Sequence, residues 1–372
     1  MFCALRILAV IAALLACSGR AAAQEEHESH GDESVPAEVA LRGLTVRGFS
    51  DVTFRADRTE TSNGRSAGDT FTLGQLSLFL SAAVANNVTI VTETAFKLGS
   101  DNRQSQAIEL ERVYIKYALS DLFRVAFGRT HSALGYWNEA YHHGALLHPT
   151  VSRPEILRFG GVMPLHAVGL EISGRAAVGK GWDVSYLGNL ANGRSREFSA
   201  TQGVADMDAG KAMAVKLSVS HESDLGTVIF GPMLYHDSIP PDPTRAGRSA
   251  AEAETIPGFH FVLRLPRYEM LSEYFGIRHE LASVPAAYRH SGWYAIGLAR
   301  LNGPVKPYAG VDVTRFDMGD TYFTGGNTSV RRMLGGVRLD VNSMNALKVE
   351  YRRERRTAGD THAIVFNTSF AF

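Results

Sequence analysis

From Leu41 to the last residue the chain alternates apolar and polar side chains in about sixteen short segments. They lie at approximately 42–56, 70–84, 87–98, 107–118, 122–130, 165–177, 181–191, 211–221, 226–236, 256–264, 268–280, 289–300, 304–316, 329–340, 345–355 and 361–372. A period of two places alternate residues on opposite faces of a β-sheet. Leu347, Val349 and Tyr351 thus oppose Lys348, Glu350 and Arg352, and Leu76, Leu78 and Leu80 oppose Gln75, Ser77 and Ser81. Connections alternate between long and short: 57–69, 99–106, 131–164, 192–210, 237–255, 281–288, 317–328 and 356–360 are long, whereas Ala85-Asn86 and Ser120-Asp121 are tight. That alternation is what an up-and-down transmembrane barrel needs, with short turns at one rim and larger loops at the other. The expected fold is an all-β, antiparallel barrel of about sixteen strands, both termini on the periplasmic side. A β-propeller would show a blade repeat of about 40–50 residues, and none is present.

The chain ends in mid-strand on Phe372, so the last strand closes something. Its expected partner is the strand over 42–56. At the other end, Arg6 precedes an apolar run from Ile7 to Cys17, with Ala21-Ala22-Ala23 ahead of Gln24. This pattern predicts a secretory signal peptide over 1–23. A lipoprotein site at Cys17 is the poorer alternative, because Leu15 is bulky and the alanine site is better. Both cysteines, Cys3 and Cys17, fall in the leader, so the exported chain needs no disulfide. Residues 24–40 read as a flexible, acidic, His-bearing segment and 41–372 as the barrel. Basic and acidic side chains balance at 38 each, which argues against a nucleic-acid partner. No apolar run reaches 18 residues beyond the leader, so any crossing of a membrane is made by strands.

Function is expected in the longest connection, His131 to Pro164. Loops of that length inside a compact fold are uncommon and usually functional. Its Leu134, Tyr136, Trp137 and Tyr141 are too apolar for a freely solvated loop, so it is expected to fold inward and narrow the bore. Parity places Arg47, Asp51, Arg55, Glu93, Lys97, Arg112, Lys116, Lys348, Glu350 and Arg352 on inward faces, joined by Arg124. Arg129, Arg153 and Arg158 sit in or beside the loop. With Asn138 and His142, the loop and wall residues form a candidate constriction, where charge acts on a passing ion through field and hydration. Mixed signs with some excess of arginine point to a weak anion preference. The alternative is that these charges are paired and only stiffen the wall. Tyr117, Phe123, Trp182, Tyr186, Tyr294 and Phe372 are expected in aromatic girdles at the lipid interface.

The stretch Phe127-Gly128-Arg129, followed by Leu134-Gly135-Tyr136-Trp137-Asn138 and Tyr141-His142-His143-Gly144, resembles a family of porin-like proteobacterial outer-membrane proteins. Phe372 resembles the assembly signature read by the barrel-insertion machinery. More loosely, the layout is similar to the phosphate-selective porins, which are sixteen-stranded trimers with a folded-in third loop. Their arginine ladder is not recognisable here. The resemblance implies a passive channel for small hydrophilic solutes in the outer-membrane lipid, assembled as a homotrimer, with no cofactor.

Signals for chemistry are weaker. His27 and His30 lie among carboxylates and could hold a divalent ion, but a solvated acidic tail is the default. His142-His143 shows no evident third ligand, and adjacent strand residues point apart. Gly325-Gly326-Asn327 reads as a turn. An outer-membrane hydrolase would need a Ser or Asp nucleophile with an oriented His, and no G-x-S-x-G elbow is present. A non-catalytic channel is therefore expected, with a hydrolase or a non-conducting adhesin barrel as alternatives.

Overall fold

The computed structural model describes residues 44–98, 106–142, 144–198, 209–245, 247–281, 287–323 and 327–372, with the backbone of 39–41. The leader, the His27 and His30 segment and His143 lie outside the described residues. So does most of the Gly325-Gly326-Asn327 turn.

Sixteen antiparallel strands close into a barrel, with one short strand, Val39–Leu41, outside the wall. In chain order the wall strands are β1 (Leu44–Thr61), β2 (Gly64–Leu73 continued by Leu76–Ala85), β3 (Val88–Leu98), β4 (Gln106–Ala118), β5 (Arg124–His131), β6 (His166–Gly179), β7 (Trp182–Ala191) and β8 (Ala212–Ser223). They continue as β9 (Gly226–Ile239), β10 (Glu252–Arg264), β11 (Tyr268–Leu281), β12 (Ala287–Ala299), β13 (Val305–Arg315), β14 (Val330–Asn342), β15 (Asn345–Arg356) and β16 (Gly359–Ala371). Closure is by β16 on β1, in a register that sets Phe366 opposite Phe54 and Ala371 opposite Phe49. Phe372 completes the seam: its carbonyl accepts the Gly48 N–H at 2.8 Å and its N–H donates to the Gly48 carbonyl at 3.0 Å.

Polarity is inverted relative to a soluble barrel. Ile90, Phe127, Leu190, Val215, Phe259, Tyr274, Trp293, Tyr351 and Ile364 are exposed on the outside. Ser77, Glu93, Asn189, Lys216, Glu273, Asp312, Lys348 and Asn367 are buried on the inside. That is the distribution a lipid-facing wall requires.

Three expectations need correction. Residues 57–69 and 356–360 are not long loops: β1 and β2 run on to a turn at Ser62-Asn63, and β15 and β16 to one at Thr357-Ala358. These outer extensions are mostly exposed, so neither face needs apolar residues and the alternation that marks a strand disappears. Tyr294 is no girdle residue. It is fully buried and faces inward, while its neighbour Trp293 is exposed on the outer face. Its place near a segment end misleads there, because aromatic residues occupy both faces of β12. Arg129 stands opposite Val113 and Val168 in the sheet, and its Nε donates to the Glu111 carbonyl at 3.0 Å, beside the root of the long connection.

Candidate functional site

Between β5 and β6 the chain leaves the wall for the long connection, which packs on inward-facing side chains. It contains one short helix, α1 (Tyr136–Ala140), and a single 3-10 turn at Glu155–Leu157. An irregular segment of this size carries many backbone groups that helix or sheet cannot pair. The wall pairs them with charged side chains. Glu273 of β11 accepts the N–H of Trp137 at 3.0 Å, the N–H of Tyr136 and the Tyr294 hydroxyl. Asp312 of β13 accepts the Glu155 N–H at 2.6 Å, and Glu350 of β15 accepts the Val151 N–H at 3.0 Å. Carbonyls meet cations: Lys348 donates to Ala145 and Thr150, and Arg338 to Leu146 and His148 at 2.8 and 2.9 Å. Arg352 reaches the Ser152 hydroxyl at 2.6 Å. Acids take N–H groups and bases take C=O groups, each a charge-assisted bond stronger than its neutral counterpart.

The apolar residues of the connection supply the second attachment. Leu134, Trp137, Ile156, Leu157, Val162 and Met163 form one buried cluster with Met233, Ile256, Leu271, Phe275, Tyr294 and Ile296 of the wall. Trp137 meets Tyr294 edge to face at 5.9 Å. Each such side chain contributes about 1.5–3 kcal/mol on burial. The inward faces of β9 to β12 carry these apolar residues among their buried polar ones for this reason: they line a core inside the barrel.

Ion pairs complete the attachment. Arg332 bridges Glu155 of the loop at 2.7 Å, Asp312 at 3.1 Å and Glu354 at 2.9 Å. Arg158 reaches Asn327 at 3.0 Å and Glu155 at 3.2 Å. Arg264 donates to the Tyr136 hydroxyl at 3.0 Å, and Tyr141 donates to Glu269 at 3.1 Å. Arg153 lies over the Phe159 ring at 3.9 Å. Burial lowers its pKa to about 9, against the upward pull of Glu111.

The connection leans mainly on one side of the barrel. Most of its polar partners sit on β10 to β15, with Lys216 of β8 holding Glu139; across from them Asn189 of β7 accepts the Ala133 N–H at 2.6 Å and Lys97 of β3 lies 5.2 Å from the Phe159 ring. On the main side the inward charges are covered: Glu350 is 0% exposed, Arg352 5% and Arg332 6%. On the other side several remain partly wet, with Arg55 at 32%, Asp57 at 26% and Lys97 at 27%, while Glu93 and Glu111 are buried. Arg47, Lys116 and Arg124 belong to this second wall, and Arg124 pairs with Asp121 at 2.9 Å. Arg112 pairs with Glu93 at 2.9 Å and lies over Phe79 at 5.2 Å. The predicted residues thus divide into two groups. Tyr136, Trp137, Asn138, Tyr141, His142, Arg153 and Arg158 belong to the packed loop, while Arg47, Arg55, Arg112, Lys116 and Arg124 line the opposite wall.

Sequence reasoning missed Glu273, Asp312, Tyr294 and Arg332. Each is one inward residue among many on its strand, and nothing in the sequence ties it to a loop over a hundred positions away. His131 was also missed, and His166, near a strand end, reads from the sequence as a structural histidine. A signal existed for them, since they end and begin the two strands that flank the long connection, and a hairpin register places them opposite each other.

No protein-family model matches the chain, and no curated protein matches it. Solved structures do. An anion-selective porin from Comamonas acidovorans is 10% identical, with 88% of this chain and 99% of that one covered at a TM-score of 0.59. OmpF of Salmonella typhi, solved with daunomycin, is 13% identical, with 90% and 100% covered at 0.56. The outer-membrane channel DcaP of Acinetobacter baumannii is 11% identical, with 90% and 99% covered at 0.54. What these likenesses share with the chain is its fold, the porin-like closed barrel of outer-membrane proteins.

Proposed function

We propose that the protein is an outer-membrane channel for passive diffusion of small hydrophilic solutes, with the route running along the inward faces of β1 to β7. The observation that carries this reading is the division of the lumen. One wall is sealed by the packed loop, and the other keeps charged side chains partly in water. A solute on that path would exchange some hydration for Arg55, Lys97, Arg112, Lys116 and Arg124. Several of these are paired with carboxylates, so selectivity is weak, with a slight preference for anions. The reading needs no cofactor and assigns no reaction to the barrel. Export, barrel-insertion machinery acting on Phe372 and a homotrimeric assembly belong to the same proposal.

Planar-bilayer conductance of purified, heat-modifiable protein tests it. Channels with modest anion preference are expected, and deletion of residues 136–144 should raise single-channel conductance. Folded protein that yields no channels would overturn the proposal in favour of a non-conducting barrel. Hydrolysis abolished by one Ser or His substitution would instead restore the enzyme reading.

A further inference from the structure

At the root of the long connection three imidazoles converge. His131 ends β5, His166 opens β6, and the two face each other in register. His142 comes in from the loop just after α1. Their rings lie 3.8 Å (His131 and His142), 4.8 Å (His142 and His166) and 5.7 Å (His131 and His166) apart. One nitrogen from each lies within 4.8 Å of the others. Three ligands on a tetrahedral ion, at bonds of about 2.0–2.1 Å, stand about 3.3–3.4 Å apart. Ligation would open the 3.8 Å stack of the His131 and His142 rings so that their in-plane lone pairs converge. The His142-His143 pair shows no third candidate in sequence, whereas the fold brings two further imidazoles to His142 from two strand ends.

The protonation pattern suits a cation. Asn138 Nδ2 donates to two carbonyls, Ser132 at 3.2 Å and Leu165 at 2.9 Å. That identifies Asn138 Oδ1 as an acceptor, and it lies 2.8 Å from His142 Nδ1. The proton of a neutral His142 is thus on Nδ1, and the Nε2 lone pair is directed into the cluster. Outer hydrogen bonds of this kind orient ligating histidines at metal sites. Nearby, the Glu111 carboxylate splits its duties. Oε1 accepts from Lys97 at 3.1 Å, while Oε2 accepts the His166 Nε2–H at 2.9 Å, a proton that a bound cation would displace, and stands 3.9 Å from His142 Nε2. Glu111 and His142 are nearly fully buried.

The other histidine cluster provides the contrast. His279 is held by Asp320 at 2.8 Å on Nδ1 and by Glu254 at 3.0 Å on Nε2. His290 is held by Asp320 at 2.8 Å on Nε2, and its Nδ1 accepts the Asp317 N–H at 3.1 Å. All four ring nitrogens there are engaged in a hydrogen-bonded network that needs no ion.

We propose that His131, His142 and His166, with Glu111 Oε2 as a fourth donor, bind one divalent first-row transition ion. Three imidazoles and a carboxylate suit zinc above calcium or magnesium, which favour oxygen ligands. The ion would tie both stems of the 132–165 connection to its middle and so pin the loop against the wall. The site does not depend on whether the barrel conducts.

Zn2+ titration calorimetry on chelator-treated, detergent-folded protein tests this, in a His27→Ala/His30→Ala background that removes the N-terminal imidazoles. One Zn2+ per chain is expected. His142→Gln and His166→Gln should each weaken binding at least tenfold, while His279→Gln leaves it unchanged. Heat-modifiable migration checks that each variant is folded. Co2+ on the unaltered protein supplies a second readout, a visible absorption typical of tetrahedral nitrogen and oxygen ligation. Binding unaffected by both cluster substitutions, no Zn2+ bound by folded protein, or a colourless Co2+ complex would each overturn the proposal.

Discussion

Gly128 shows how much one residue can decide. It has φ +134, and a Cβ there would fall 2.1 Å from the Val113 carbonyl oxygen and 2.8 Å from the Tyr114 Cα. Both obstacles are backbone of the neighbouring strand. Gly128→Ala should therefore destabilise the barrel by about 1–3 kcal/mol, read as a lower denaturant midpoint of the heat-modifiable form. An unchanged midpoint would show that β4 yields at this point. Glu273 is the counterpart in the lumen, one carboxylate accepting from two loop N–H groups and the Tyr294 hydroxyl. Glu273→Ala leaves buried donors unpaired, at about 1–3 kcal/mol each. Hydrogen exchange at Tyr136 and Trp137 should accelerate at least tenfold while the wall strands stay protected. Equal protection in the variant would mean that the apolar cluster alone holds the loop.

Among the elements, the 132–165 connection behaves as an internal plug held by polar bonds at its edge and an apolar centre. His148 makes that plug sensitive to acid. Its Nε2 lies 2.8 Å from the Tyr141 carbonyl. Burial first, then the nearby Lys348 and Arg153 charges, hold its pKa well below the ordinary 6.5. The folded loop therefore keeps His148 neutral, whereas a released loop takes up a proton once pH falls through about 6.5. Stability is complete above that value and declines below it, by up to about 1.4 kcal/mol per pH unit. Proteolysis of the loop should increase between pH 7 and pH 5, and His148→Gln should flatten that dependence. The strands were legible to differing degrees for a physical reason. β15 alternates cleanly because lipid lies on one side and charged anchors on the other. The outer ends of β1 and β2 do not, because water reaches both faces. β12 carries apolar residues on both sides, with lipid outside and the loop core inside, so nearness to a segment end could not tell that Tyr294 faces the loop.

At the scale of the molecule, the barrel has two unlike walls, and identical residue types do different work on them. Lys116, on the wet wall, faces the proposed path, while Lys348 is bound to loop carbonyls. Lys116→Glu should shift the reversal potential in a salt gradient toward cation preference. Lys348→Met should leave that potential unchanged and speed hydrogen exchange in residues 145–150. The opposite pattern would place the path on the other wall. Alternation of side chains and of connection lengths determined the strand count and closure by themselves, because both are local and lipid on one face imposes a period of two. Inward parity named most of the charged lumen residues, but it could not separate the sealed wall from the wet one. That distinction depends on where the connection comes to rest. The resting place is set by bonds between residues distant in sequence, such as Trp137 to Glu273 and Val151 to Glu350, and by three histidines that meet only when β5 and β6 pair. Such contacts leave no periodic trace in a sequence, so the tertiary structure alone decided them.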